Sequence, residues 1–201
     1  MRDLEAEGVH AASFKADQAD PTAVEDLVKA VAARFGRLDI LVNSAGLLVS
    51  GLVDDPESPA ALFDRQFAVN VGGVAAAVRS AVKFLGEGGR IISIGSVVGR
   101  RTHCRGLADY SATKAAIAAH TCSWARDLGP KGITVNIVQP GPIDTDMNPA
   151  DGDSAVAQRA RARLGRFGTP EEIAVAVAFL ASPSAAFITG ATLDVDGGWK
   201  T

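Results

Sequence analysis

Apolar residues in this chain gather into short, nearly unbroken runs separated by longer stretches with helical spacing. Leu38–Asn43, Ile91–Gly95 and Ile133–Val138 are apolar at successive positions, not alternate ones. That pattern marks strands covered on both faces, the kind found in parallel sheets. Ala191–Val195 reads as a further, closing strand, and residues 9–15, ending at Asp17, as a short first one. Between them lie helical segments with their own start and stop signals. Asp20-Pro21 supplies an N-cap followed by proline at the first helical position, and Gly36 ends that helix. A long helix is predicted over 60–84, with Gly72-Gly73 in its middle, where the pair weakens the helix but permits close approach of a neighbour or a ligand. Another spans Ala108–Leu128, and Thr169-Pro170-Glu171-Glu172 is a capping box opening a helix through Leu180. Alternating strands and helices of this kind predict one doubly wound, Rossmann-like parallel α/β domain over residues 1–201.

One stretch breaks the alternation. From Asp144 to Gly168 the chain is polar, with four aspartates followed by Arg159, Arg161, Arg163 and Arg166. A solvated connection explains it, but so long a connection in a compact α/β domain fits a substrate lid over 144–168 better. The arginines need not touch a ligand, since a solvated helix face accounts for them equally well.

Composition narrows the class without naming a reaction. The 201 residues carry a net charge of −3, which gives no reason to expect a nucleic-acid partner. The start, Met1-Arg2-Asp3-Leu4-Glu5, lacks the apolar core of a signal peptide, and no run reaches membrane-spanning length. Two cysteines, Cys104 and Cys122, make no disulfide framework, so a reduced cytoplasm is the expected location. His10, His103 and His120 show no metal-ligand spacing; His103-Cys104 reads as a plain loop, and no metal is expected.

Candidate chemistry sits at Tyr110, the only tyrosine, and Lys114. A spacing of four places the phenol and the ammonium on one helix face. An unperturbed tyrosine titrates near pH ~10. A neighbouring cation is expected to lower that value and make the phenol a usable acid or base. Ser96, at the end of the Ile91–Gly95 run, is placed to hold the oxygen of a carbonyl substrate. Alone, Tyr-x-x-x-Lys is far more often an exposed helix pair.

The surrounding motifs settle that ambiguity. Leu38-Asp39-Ile40-Leu41-Val42-Asn43-Ser44-Ala45-Gly46, Asn70-Val71-Gly72-Gly73, Gly89 through Ser96, Ile133 through Gly141 and Leu193-Asp194-Val195-Asp196-Gly197-Gly198 occur in this order. Together they resemble the short-chain dehydrogenase/reductase family, particularly its members like 3-oxoacyl-carrier-protein reductase, from about residue 8 to the C-terminus. The resemblance implies an NAD(P)-dependent oxidoreductase that moves a hydride between a nicotinamide and a ketone/secondary-alcohol pair. Tyr110 would be the acid/base, Ser96 would orient the substrate oxygen, and Asn70 would position a water in a proton relay reaching Lys114. Lys114 would also hold the nicotinamide ribose. Asn43, Ala45 and Gly46 would line the NAD or NADP, Asp17 would take the adenine edge, and Pro140, Gly141, Ile143 and Thr145 would wrap the nicotinamide end. Structural readings stand beside these: Asn43 and Asn70 as caps or sheet clamps, Asp17 as a turn former. A homodimer or homotetramer is implied as well, through the helices at 60–84 and 108–128.

Three departures qualify the resemblance. Ser44 stands where the family usually has a second asparagine, a change expected to alter sheet hydrogen bonding only. Gly99 to Gly106 is longer and more basic than usual, either a plain solvated loop or a rim favouring an anionic substrate. No apolar strand with a glycine-rich turn precedes residue 8, and Gly8 belongs to a turn of its own; the chain reads as N-terminally truncated, lacking the family's first two strands. Residues 9–15 then lose their pairing partner, and Leu38–Asn43 becomes an apolar edge. The 201-residue chain is accordingly expected to show no NAD(P)H binding in a calorimetric titration at micromolar concentration. The alternative function is a non-catalytic remnant that binds a nucleotide-like ligand or a partner.

Overall fold

The computed structural model describes residues 2–102 and 104–201; His103 lies outside the described residues. Four strands form one parallel sheet in the order β1 (Leu38–Asn43), β2 (Leu85–Ile94), β3 (Thr134–Pro140) and β4 (Thr192–Val195). Leu41 aligns with Ile91, Ile91 with Val135, and Val138 with Leu193. Helices cover both faces. On one side α2 (Pro21–Phe35), α4 (Val74–Ala81) and α5 (Ala108–Leu128) meet the sheet, with Val28, Val78, Ala125 and Leu128 packed on Ile91 and Val135. On the other, after the short α6 (Ala155–Arg161), Leu180 of α7 (Pro170–Ala181) packs on Ile92 and Val138. Ile91 and Ile92 thus point to opposite layers, each at most 1% exposed, and each such burial contributes roughly 1.5–3 kcal/mol. The unbroken apolar run in the sequence is the record of these two layers.

Local signals worked where predicted. Asp20 caps α2, accepting from Thr22 N at 2.8 Å and Ala23 N at 3.3 Å, and Gly36 ends the helix in the left-handed region. Thr169 N donates to Glu172 Oε2 at 2.9 Å, completing the capping box of α7. A short helix not foreseen, α1 (Arg2–Ala6), precedes the turn at Gly8.

Three expectations need correction. Residues 9–15 form no strand; they run as irregular, mainly exposed backbone, because no strand lies beside them to complete a ladder. The helix over 60–84 is interrupted: α3 (Ala60–Phe67) passes through a π-helical turn, Ala68–Gly73, before α4 begins. Gly73 is pressed against Gln18, where a β-carbon would stand 2.1 Å from the Gln18 carbonyl oxygen. Only glycine permits that approach. The third concerns β3, which continues past Val138 through Gln139 to Pro140 and carries the start of the Pro140-Gly141-Pro142 segment to the sheet's C-terminal edge. The apolar edge does form: Ile40 and Val42 of β1 remain 43% and 42% exposed.

Candidate active site

Strands β1, β2 and β3 all end at the same edge of the sheet, as parallel strands must, and a cleft of about 750 Å³ opens there. Open α/β sheets place their ligand crevices outside this carboxyl edge. Each strand end hands the chain to a site segment. β1 leads to Ser44 and Gly46, β2 to Gly95 and Ser96, and β3 to Pro140, Gly141, Ile143 and Thr145; all of these line the cleft. From the side, α5 contributes Tyr110 and Lys114 one turn apart.

Ser96 caps a single 3-10 turn, Val97–Gly99, accepting weakly from Val98 N at 3.4 Å. That turn is driven into α5: a β-carbon on Gly99 would sit 2.8 Å from the Lys114 carbonyl carbon and 2.9 Å from Ala115 N. The absence of a side chain there lets the turn lie against α5, and Ser96 is a hydrogen-bond partner of the Tyr110 hydroxyl. Burial raises the Tyr110 phenol above its usual value, and the Ser96 hydrogen bond offsets part of that rise. No lowering by Lys114 accompanies these two effects; its ammonium sits over the ring, 5.6 Å from the centroid. Lys114 is itself 6% exposed and bonded to Ile94 O at 3.0 Å. Desolvation brings its pKa down to about 8.

Asn70 stands on the π-helical turn, a local distortion that often marks functional positions. Its amide accepts from Leu47 N at 2.8 Å, donates back to Leu47 O at 2.8 Å, and donates to Thr113 Oγ1 at 3.1 Å. Thr113 in turn donates to Tyr110 O at 2.7 Å. The asparagine therefore ties the loop after β1 to the turn of α5 that carries Tyr110. Both amide hydrogens are spent, and one oxygen lone pair remains.

Other expected contacts lie elsewhere. Asn43 is buried and donates to Ser93 Oγ at 3.2 Å across the β1–β2 pair, a sheet clamp and not a cleft residue. Asp17 also stands outside the cleft lining. Its carboxyl accepts from Ala19 N and from Arg65, and these partners, the backbone amide first, hold it below the usual carboxylate range. Ala45 is exposed and does not line the cleft, whereas Ser44 does, so its substitution bears on the site as well as on the sheet. The basic segment after Gly99 places Cys104 and Leu107 on the cleft, not its arginines. The stretch 144–168 reaches the site through Thr145, Met147, Asn148 and Gln158. Asn148, Gln158 and the distant Trp199 were not foreseen; no periodicity or spacing marks them, and only the folding back of the chain brings them together. Among the described residues no group of three or more His, Cys, Asp or Glu is arranged to hold a metal. No helix of these residues is long and apolar enough to cross a membrane.

A parallel sheet with a Ser–Tyr–Lys cluster at its carboxyl edge defines a Rossmann-like fold of the oxidoreductase type. Comparison with known proteins agrees. Residues 1–200 match the family model described as Enoyl-(Acyl carrier protein) reductase. The chain is 45% identical over 181 residues to the cyclic-di-GMP-binding biofilm dispersal mediator protein of Escherichia coli, spanning 90% of this chain and 74% of that one. It is 42% identical over 182 residues to a 3-oxoacyl-(acyl-carrier-protein) reductase of Vibrio cholerae, covering 89% and 73% of the two. A short-chain dehydrogenase of Burkholderia cenocepacia solved with NADP superposes with a TM-score of 0.96 at 46% identity, over all of this chain and 81% of that one. The chain belongs to the short-chain dehydrogenase/reductase family of NAD(P)-using oxidoreductases.

Proposed function

We propose that this chain carries the reaction site of an NAD(P)-dependent reductase acting on a ketone/secondary-alcohol pair. The observation that carries the reading is the joining of Ser96, Tyr110 and Lys114 in one cleft at the carboxyl edge of the sheet. When bound, the nicotinamide supplies or takes the hydride. Tyr110 gives a proton to the substrate oxygen in reduction, or receives it in oxidation. Ser96, already bonded to that phenol, holds the same oxygen. Raised by burial, the phenol stays protonated at neutral pH, as a donor in the reductive direction must.

The donor set fits the nicotinamide-ribose half of the cofactor. Lys114 spends one N–H on Ile94 O and keeps two for ribose hydroxyls. Gly46 and the Pro140–Thr145 segment lie beside it. Asn70 Oδ1 and Lys114 Nζ each lie 3.6 Å from where a side chain on Gly46 would begin, so a relay water could bridge them. Residues 144–168 act as the lid over the substrate, and the chain self-associates through the helical segments at 60–84 and 108–128.

A second reading is a binding module for a nucleotide-like ligand, favoured by the name of the 45% identical Escherichia coli relative. Turnover separates the two. An NADPH-dependent reduction lost on Tyr110→Phe supports the enzyme. Binding of a cyclic dinucleotide by a chain that reduces no ketone supports the module.

A further inference from the structure

The polar stretch 144–168 closes on itself. At its neck Ile143 bridges Gly168, and Asp144 N donates to Gly168 O at 3.0 Å. Its waist is joined by two amides: Asn148 Nδ2 donates to Gln158 Oε1 at 3.0 Å, and Gln158 Nε2 donates to Asn148 Oδ1 at 2.8 Å. Gln158 gives its second hydrogen to Ser154 Oγ at 2.7 Å. Both amides line the cleft, beside Met147.

Two primary amides bring four N–H donors, and three are spent within this network. The arginines of the same stretch do not themselves line the cleft. Arg159 bonds Ala150 O and lies over Phe167; Arg161 lies over Trp199; Arg163 bonds Thr201 O; Arg166 pairs with Glu172. Among the described residues lining the cleft, Lys114 alone carries a charge, and it belongs to the reacting end. Most of the remaining wall is apolar, Leu48, Val98, Leu107 and Met147 among it, and its other polar members such as Ser44 and Thr145 are uncharged. A carboxylate or phosphate on the body of a substrate would lose its water and meet one free amide hydrogen.

We infer that the Asn148–Gln158 amide pair sets the substrate class of this cleft: neutral carbonyl compounds with an apolar body, anionic ones being excluded. The inference rests on the ketone-reductase reading for which end of the substrate reacts. The pair acts by consuming its own donors and by holding the 144–168 segment closed, so that Met147 and not an arginine faces the ligand.

The test uses two alkyl ketones of one chain length, ending in a methyl ester or in the free carboxylate. Binding is followed by the fluorescence of Trp199 in a Trp124→Phe background, which leaves one tryptophan. The ester is expected to bind at least ~10-fold more tightly than the carboxylate, the penalty for a desolvated anion. Gln158→Lys should reverse the preference, and Asn148→Lys should do so from the other side of the pair if Gln158→Lys fails to fold. The exchanged pair Asn148→Gln/Gln158→Asn should keep it. The inference is overturned if the carboxylate binds wild type as well as the ester does, if neither binds, or if the folded lysine variant leaves the ratio unchanged. Failure of the reductase reading looks different: the ester binds selectively and is not reduced.

Discussion

Lys114 Nζ lies 5.6 Å from the centroid of the Tyr110 ring and is bonded to Ile94 O, so the cation and the phenol ring share one face of α5. The arrangement keeps an ammonium in a nearly dry place, and desolvation takes its pKa down to about 8 from 10.5. Below pH 8 both folded and unfolded chains carry the proton, and the folded one bears the full cost of burying it. Between pH 8 and 10.5 the folded chain releases the proton while the unfolded chain keeps it, so stability rises with pH across that window.

Lys114→Met should therefore stabilise the fold at pH 7 while impairing function. The shift corresponds to on the order of 3 kcal/mol, of which the lost Ile94 bond returns about 1 kcal/mol. Urea unfolding of both forms from pH 7 to 10.5 checks this. The advantage of the variant should shrink as pH rises through the window. A variant less stable than wild type at pH 7 would mean that the lysine is not buried as a bare cation.

Glu172 offers the opposite sign. Bonded to Arg166 and then to Thr169 N, its carboxyl titrates at about 2 in the folded chain against 4.5 unfolded. Its contribution is present above pH 4.5 and is lost as pH falls toward 2. Glu172→Gln should lower the Tm at pH 7 and lose less than wild type on acidification from pH 4.5. Parallel melting curves at pH 7 and pH 3 measure both, and a constant difference between the two forms would remove Glu172 from the acid response.

Much of this fold was legible because each of its signals is local. Asp20-Pro21, Gly36 and the Thr169 capping box need only their neighbours, and the apolar runs of β2 and β3 record burial on two faces. What was not legible depends on partners distant in sequence. Residues 9–15 have strand composition but no strand beside them. The π-helical turn at Asn70 lies where Gly73 meets Gln18, and the Lys114 ammonium is bonded to the Ile94 carbonyl, both partners distant along the chain. Within the site, Ser96, Tyr110 and Lys114 stood out because no ordinary packing need explains all three. Asn43 and Asp17 are the reverse case, each serving a structural bond.

The exposed edge of β1 yields another prediction. Ile40 and Val42 present an apolar face beside unpaired backbone in this 201-residue chain. Such an edge recruits other strands. Ile40→Lys should reduce concentration-dependent association beyond the dimer or tetramer in sedimentation velocity, without changing the circular dichroism spectrum. Unchanged association would show that the edge is covered some other way.

Asn70→Ala should act through position and not through proton transfer alone. It breaks the two bonds to Leu47 and the one to Thr113, all three buried or partly buried and worth about 1 kcal/mol each. Both stability and turnover should fall. Asn70→Ser, short of Leu47, should not restore either. A variant of wild-type stability that lacks turnover would instead favour a purely chemical role.

The central claim is that Tyr110 is the proton donor of a hydride-transfer site. The direct measurement is the rate of NADPH oxidation coupled to alcohol formation from a neutral apolar ketone, for wild type and Tyr110→Phe. The account predicts NADPH-dependent alcohol formation by wild type, and a loss of at least ~100-fold in Tyr110→Phe, within the usual contribution of a general acid. Equal rates in the two forms, or no alcohol from wild type at any NADPH concentration, would contradict it.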